Sequence, residues 1–172
     1  MPVPQLSITL SSTSESWRVG DLIQVGVEVR NISKAPVWAI GVLDGSESGF
    51  RYPHYLPLIT GPKPLPATEE APWCGNVAPL LLSDFRQLLP GEGFDPGKPA
   101  GDAVGLPLVA FQNFRPATPG HYQLSVIYDS SCESDREWLG MTGYPGEDRV
   151  LQQLTLVPRL LMRSNLLTLK VT

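Results

Sequence analysis

Four side chains have the chemistry for nucleophilic catalysis or metal binding: His54, Cys74, His121 and Cys132. They lie far apart, and none falls in a C-x-x-C or H-x-x-x-H spacing. A zinc site would therefore need three or four of them to converge through the fold, and no metal is expected. A Cys–His pair needs a thiolate beside a positioned base. Cys74 sits between Trp73 and Gly75, a turn setting with no catalytic signature around it. Cys132 has Glu133 and Asp135 close by, and acidic neighbours raise a thiol pKa and blunt its reactivity. The carboxylates are scattered. Asp44-Gly45-Ser46-Glu47 matches a calcium loop only loosely and lacks the remaining oxygen ligands. There is no G-x-S-x-G, no phosphate loop and no dinucleotide fingerprint. The expectation is a non-enzymatic chain without cofactor; an enzyme using Cys74 and His54 is the alternative.

The strongest chemistry-bearing signal is aromatic and cationic. Phe50, Arg51, Tyr52, His54 and Tyr55 are packed into six positions, and Trp73, Trp138 and Tyr144 stand in other irregular stretches. Tyrosine, tryptophan and arginine are the residues that anchor interfaces. Two readings fit these rings: they contact a protein partner, or they fold back and cover a sheet face.

The elements that must position these residues read as strands. From Pro119 to Tyr128 a Pro-Gly turn leads into strict alternation, with Tyr122, Leu124, Val126 and Tyr128 on one face. A tyrosine just inside such a strand serves as a corner, ring in the core and hydroxyl tied back to nearby backbone; an ordinary core tyrosine is the plainer reading. Leu6, Ile8 and Leu10 alternate in a first strand. Residues 22–30 form a second, with Ile23, Val25, Val27 and Val29 facing one way. Residues 37–43 form a third, placing Trp38, Ile40 and Val42 on one face, with Trp38 as core anchor. Further strands are expected at 77–82, 85–89 and 104–111, and a final strand or pair of strands at 160–171, with Leu167, Leu169 and Val171 alternating inward. Residues 147–156 fit either a short helix, with Val150, Leu151 and Leu154 sharing a face, or a strand. Two long insertions, 45–79 and 129–158, break the pattern. The first holds seven prolines, which makes it extended and poor in ladder bonds.

Composition narrows the class. Apolar residues make up 42% and charged residues 17% of 172, which excludes a disordered chain and sets a prior of one domain, 1–172. The 18 prolines and 16 glycines favour strands and loops over helices. Net charge is −4 and no lysine or arginine cluster occurs, so no nucleic-acid partner is expected. No run of about eighteen apolar residues is present, so no membrane span is expected. The opening M-P-V-P-Q-L-S-I-T-L carries no basic or apolar export signal, which points to the cytoplasm and to free thiols at Cys74 and Cys132 rather than a bridge.

Taken together, the V-G-D turn at 19–21, the alternating strand, the N-I-S turn at 31–33, Leu89-Pro90-Gly91-Glu92, P-G-x-Y-x-L and the closing S-N-L-L-T-L-K-V resemble a bacterial immunoglobulin-like β-sandwich, most of all the intracellular proteinase inhibitor type. The resemblance covers about half the chain and concerns turn and strand chemistry shared by many sandwiches. It departs from antibody domains in having no cysteine in either central strand. The expectation is thus an all-β, immunoglobulin-like antiparallel sandwich. It would bind a protein partner of unknown identity through its two insertions, as an immunity or inhibitor protein does. The resemblance itself implies the alternative of a protease inhibitor presenting an exposed loop.

Overall fold

The computed structural model describes residues 5–63, 77–98 and 106–172. Ten strands follow one another: β1 (Leu6–Ser12), β2 (Ser16–Trp17), β3 (Val25–Asn31), β4 (Val37–Ile40), β5 (His54–Thr60), β6 (Phe85–Leu88), β7 (Gly93–Phe94), β8 (Gly120–Asp129), β9 (Leu161–Arg163) and β10 (Leu167–Val171). Three short helices interrupt them: α1 (Val109–Gln112), α2 (Arg136–Leu139) and α3 (Glu147–Leu154). The architecture is mainly β, and every strand pairing is antiparallel except that of β2 with β10.

β8 is the axis. Its alternation buries Tyr122, Leu124, Val126 and Tyr128 completely. β5 pairs along one side, from His54 opposite Asp129 to Thr60 opposite Gln123. β9 and β10 share the other side. The break between them is bridged at Ser164, whose Oγ accepts from Val126 N–H at 3.0 Å and whose own N–H donates to the Val126 carbonyl at 3.0 Å. A second sheet runs β1-β3-β7. Leu6, Ile8 and Leu10 of β1 and Val27 and Val29 of β3 meet the β8 and β10 side chains in one core. Asn165 ties the layers: its Oδ1 accepts from Leu10 N–H at 2.7 Å and its Nδ2 donates to the Leu10 carbonyl at 3.1 Å.

The Tyr122 corner is present. The ring is buried against Phe114, centroids 5.5 Å apart, and Oη donates to the Thr118 carbonyl at 2.8 Å. Gly61 makes room for it: a Cβ there would lie 2.3 Å from the ring.

Several sequence expectations need correction. The span 45–79 is not one loop, because 54–60 is strand β5 despite Pro57. Val126, opposite Pro57, turns both backbone groups to Ser164, so the pair is a non-hydrogen-bonded one. The missing proline N–H therefore costs no ladder bond on this edge strand. The third strand ends at Ile40 rather than 43. Val37, Ala39 and Val42 enter the main core, whereas Trp38 turns away and is half-buried on a second cluster with Ile40. Trp38 is therefore not the main core anchor; the small side chain of Ala39 occupies the inward position. Residues 77–81 form no strand, and Leu82–Asp84 is a 3-10 turn. Val109–Gln112 is helical, where a strand from 104 to 111 was expected. Glu47 explains it: its carboxylate accepts from Val109 N–H and Ala110 N–H, both at 2.8 Å, and so satisfies two orphan donors of a helical first turn. At 147–156 the helix is realised, with Val150 and Leu154 buried and Leu151 partly so. No helix among the described residues is long and apolar enough to cross a membrane.

Tyr122→Phe removes the corner bond and leaves the Thr118 carbonyl partly desolvated without its donor. The expected cost is about 1–2 kcal/mol, read as a lowered urea midpoint with unchanged slope; a wild-type midpoint would show the corner bond to be immaterial.

Candidate interaction surface

The insertions meet at a second core, to which the first brings Tyr52 and the second Trp138, Leu139, Val150, Leu154 and Val157. Ile40, Leu43, Leu80, Phe85, Trp138, Leu139, Val150, Leu154 and Val157 cluster together, with Trp38, Tyr52, Tyr144 and Leu151 packed around them. α3 contributes because its apolar residues recur at i and i+4, on one face. Leu80 N–H donates to the Leu139 carbonyl at 3.0 Å, and Met141 N–H to the Val77 carbonyl at 3.2 Å, so the segment entering at 77 runs beside the one around 140.

Arg51 locks the arrangement. Only 2% of it is exposed. Nε donates to the Trp138 carbonyl at 2.8 Å, Nη1 to the Ala78 carbonyl at 2.5 Å and Nη2 to the Leu139 carbonyl at 3.5 Å. A guanidinium suits this task, since its planar fork reaches several carbonyls at once. Burial pulls its pKa below the ordinary value, against the nearby charges of Asp84 and Asp44.

A column of rings continues from Arg51. Tyr52 stacks on His54 at 3.7 Å and lies tilted 5.8 Å from Trp138. The Arg159 guanidinium lies 4.4 Å over the Trp138 ring and pairs with Asp135 at 3.3 Å. Trp138 Nε1 donates to the Cys132 carbonyl at 3.1 Å. Burial lowers the pKa of His54, opposed by the charges of Asp129 and Glu137. Burial also raises the phenols: Tyr55 goes well above its ordinary value, and Tyr128 is pushed up to about 12. These phenols stay neutral in the core; Tyr55 Oη donates to the Ile40 carbonyl at 2.7 Å.

The residues expected to contact a partner therefore divide. Arg51, Tyr55 and Trp138 are buried and hold the fold, which corrects the expectation that their side chains reach a partner. Tyr52, His54 and Tyr144 are half-buried, and Tyr144 Oη donates to the Leu80 carbonyl. Phe50 is 59% exposed. Trp73 and Cys74 lie outside the described residues. Cys132 is a half-buried free thiol, and its Sγ points to the Ser134 carbonyl at 3.8 Å. Among the described residues no cluster of three or more His, Cys, Asp or Glu side chains could hold a metal ion.

What the insertions present to solvent is a shallow groove of about 360 Å³, bordered by Phe50, Val77, Arg136, Glu137 and Met141, with Arg51 beneath. Met141 is 52% exposed. Sequence reasoning did not single out Arg136, Glu137 or Met141; their only signal is proximity to Trp138, since exposed positions carry no periodicity. No protein-family model, no curated protein and no solved structure matches this chain.

Arg51→Met leaves the inward Trp138 and Ala78 carbonyls without their donor. We expect a loss of roughly 3–5 kcal/mol in denaturant unfolding; a loss below 1 kcal/mol would mean the loops hold without the guanidinium. The pH response of His54 has a definite sign. Its folded pKa lies below the ordinary 6.5, so the unfolded chain binds the proton more readily. Its contribution to stability is full above about 6.5 and is lost as pH falls through the folded value. His54→Gln is expected to flatten the fall in urea midpoint between pH 7.5 and pH 5; an unchanged slope would assign that fall to other groups.

Proposed function

We propose that this chain is a non-enzymatic protein-binding module of the immunity or inhibitor kind. On this reading it is built on an immunoglobulin-like β-sandwich similar to the intracellular proteinase inhibitor type, and it works in the bacterial cytoplasm. The observation that carries the proposal is the convergence of the two insertions. They meet where Tyr52 packs on the cluster around Trp138, they are cross-linked by Arg51, and together they border one groove with exposed Phe50 and Met141 beside Arg136 and Glu137. A loop surface carried on a rigid support suits recognition, because little ordering entropy remains to be lost on binding. Apolar side chains ringed by opposite charges also match the make-up of an interface core and rim.

The buried half of the insertions dictates the test. Deleting 131–146 would remove the carbonyls that hold Arg51, so surface substitutions are required. The double variant Arg136→Glu, Met141→Asp should keep the wild-type unfolding midpoint. In affinity capture from the source cells it should lose, by at least tenfold, the dominant protein retained by wild type. Equal capture by both chains would remove this groove from the function. Inhibition of a protease panel by wild type and not by the variant would select the inhibitor form.

A further inference from the structure

A second feature lies on the other sheet. In β3 the residues alternate in the direction of their backbone groups. Leu10 of β1 gives both its N–H and its C=O to Asn165, so its pairing with Val27 is a non-hydrogen-bonded one. By the same alternation Ser11–Gly26 and Thr9–Glu28 are the bonded pairs, and Val25, Val27 and Val29 turn their N–H and C=O groups away from β1. Val29 is matched by Phe94 of β7, and Asn31 beyond it donates its N–H to the Glu92 carbonyl and accepts at its carbonyl from Gly91 N–H. Further back, Ile23 N–H donates to the Phe114 carbonyl at 3.1 Å.

Between these two ties the edge is open among the described residues. The next residue due opposite Val27 is Pro96. It has no N–H to give, and its carbonyl is turned to Val42 N–H at 2.9 Å. Gly41 permits that swing, since a Cβ there would lie 2.9 Å from the Pro96 oxygen. The chain from Asp95 to Lys98 thus peels away from β3. A groove of about 570 Å³ remains between them, floored by the buried side chains of Leu108 and Phe111. Among the described residues, nothing pairs with the backbone groups of Val25 and Val27.

We propose that this slot is a β-augmentation site that takes an extended segment of a protein partner as an added strand beside Val25–Val27. The complementarity is one of alternating backbone dipoles. Two donors and two acceptors stand in a line, the two residues about 7 Å apart, which is the repeat of a strand. An extended peptide matches such a row, and an apolar ligand or a helix, whose own backbone groups are used internally, does not. Val25 and Val27 face inward, so the partner residues opposite them also point to the floor. The segment is therefore apolar at two positions and unrestricted at the one between, beside exposed Gly26.

The test is residue-resolved amide exchange on the full-length labelled chain. In the free chain the Gly26 and Glu28 amides should exchange slowly and the Val25 and Val27 amides fast. The probe is an end-capped hexapeptide of alternating valine and threonine. At millimolar concentration it should slow Val25 and Val27 at least tenfold, while the same peptide N-methylated on the bonding edge should not. Val25→Pro should abolish the response and leave the unfolding midpoint near wild type, because Val25 gives no bond to β1. Slow exchange at Val25 and Val27 in the free chain would overturn the proposal, since the edge would already be satisfied. An absent response, or an equal response to the methylated peptide, would do the same. So would a dimer in sedimentation that Val25→Pro dissociates, which would make the occupant a second copy of this chain.

Discussion

The guanidinium of Arg51 is the constraint on which the insertion half of the molecule depends. A buried cation is costly to desolvate, and burial does lower its pKa. It is kept because two carbonyls from distant segments, those of Ala78 and Trp138, would otherwise face inward without donors. Neither segment has a long regular element of its own there; α2 is four residues. Such stretches cannot satisfy their backbone groups internally. One side chain at the middle of their meeting point supplies what a sheet ladder would supply elsewhere.

Around that point the molecule has two kinds of order. The sheet half is held by periodic burial along β1, β3, β8 and β10, with Tyr122, Ser164 and Asn165 making single specific bonds at corners and breaks. The insertion half is held by rings and a cation packed without period. Tyr55 belongs to both: it lies on β5, packs edge-on against Tyr128 at 4.9 Å, and bonds back to Ile40 of the second cluster. That buried hydroxyl bond ties β5 to β4, whose Ile40 belongs to the second cluster, so the two cores are joined through strands.

What could be read from the sequence follows the same division. β1, β3 and β8 were legible because their apolar residues alternate, and the Tyr122 corner because a Pro-Gly turn precedes it. β5 was hidden by Pro57, since the rule against proline in strands has an exception only for an edge, and edge position is a tertiary fact. α1 was hidden because the carboxylate that caps it, Glu47, lies 62 residues before it in the chain. The aromatic stretch 50–55 with its one arginine stands out in the sequence, yet its composition does not distinguish a ring aimed outward from one aimed inward. For Arg51, Tyr55 and Trp138 the direction is set by backbone acceptors outside the stretch's own pattern, at Ala78, Ile40 and Cys132.

The amide of Asn165 has a consequence for how the molecule behaves in a crowd. β1 is the outer strand of its sheet, and an exposed outer strand is a template on which other chains can stack. At mid-strand, Leu10 has both backbone groups already occupied by a side chain rather than by a neighbouring strand. A second polypeptide approaching this edge finds its row of anchoring points interrupted at the centre and meets a side chain that cannot pass the pairing on. Asn165 thus acts as a stopper against fibre-like growth, and it does so without a charge, a proline or a bulge in β1 itself.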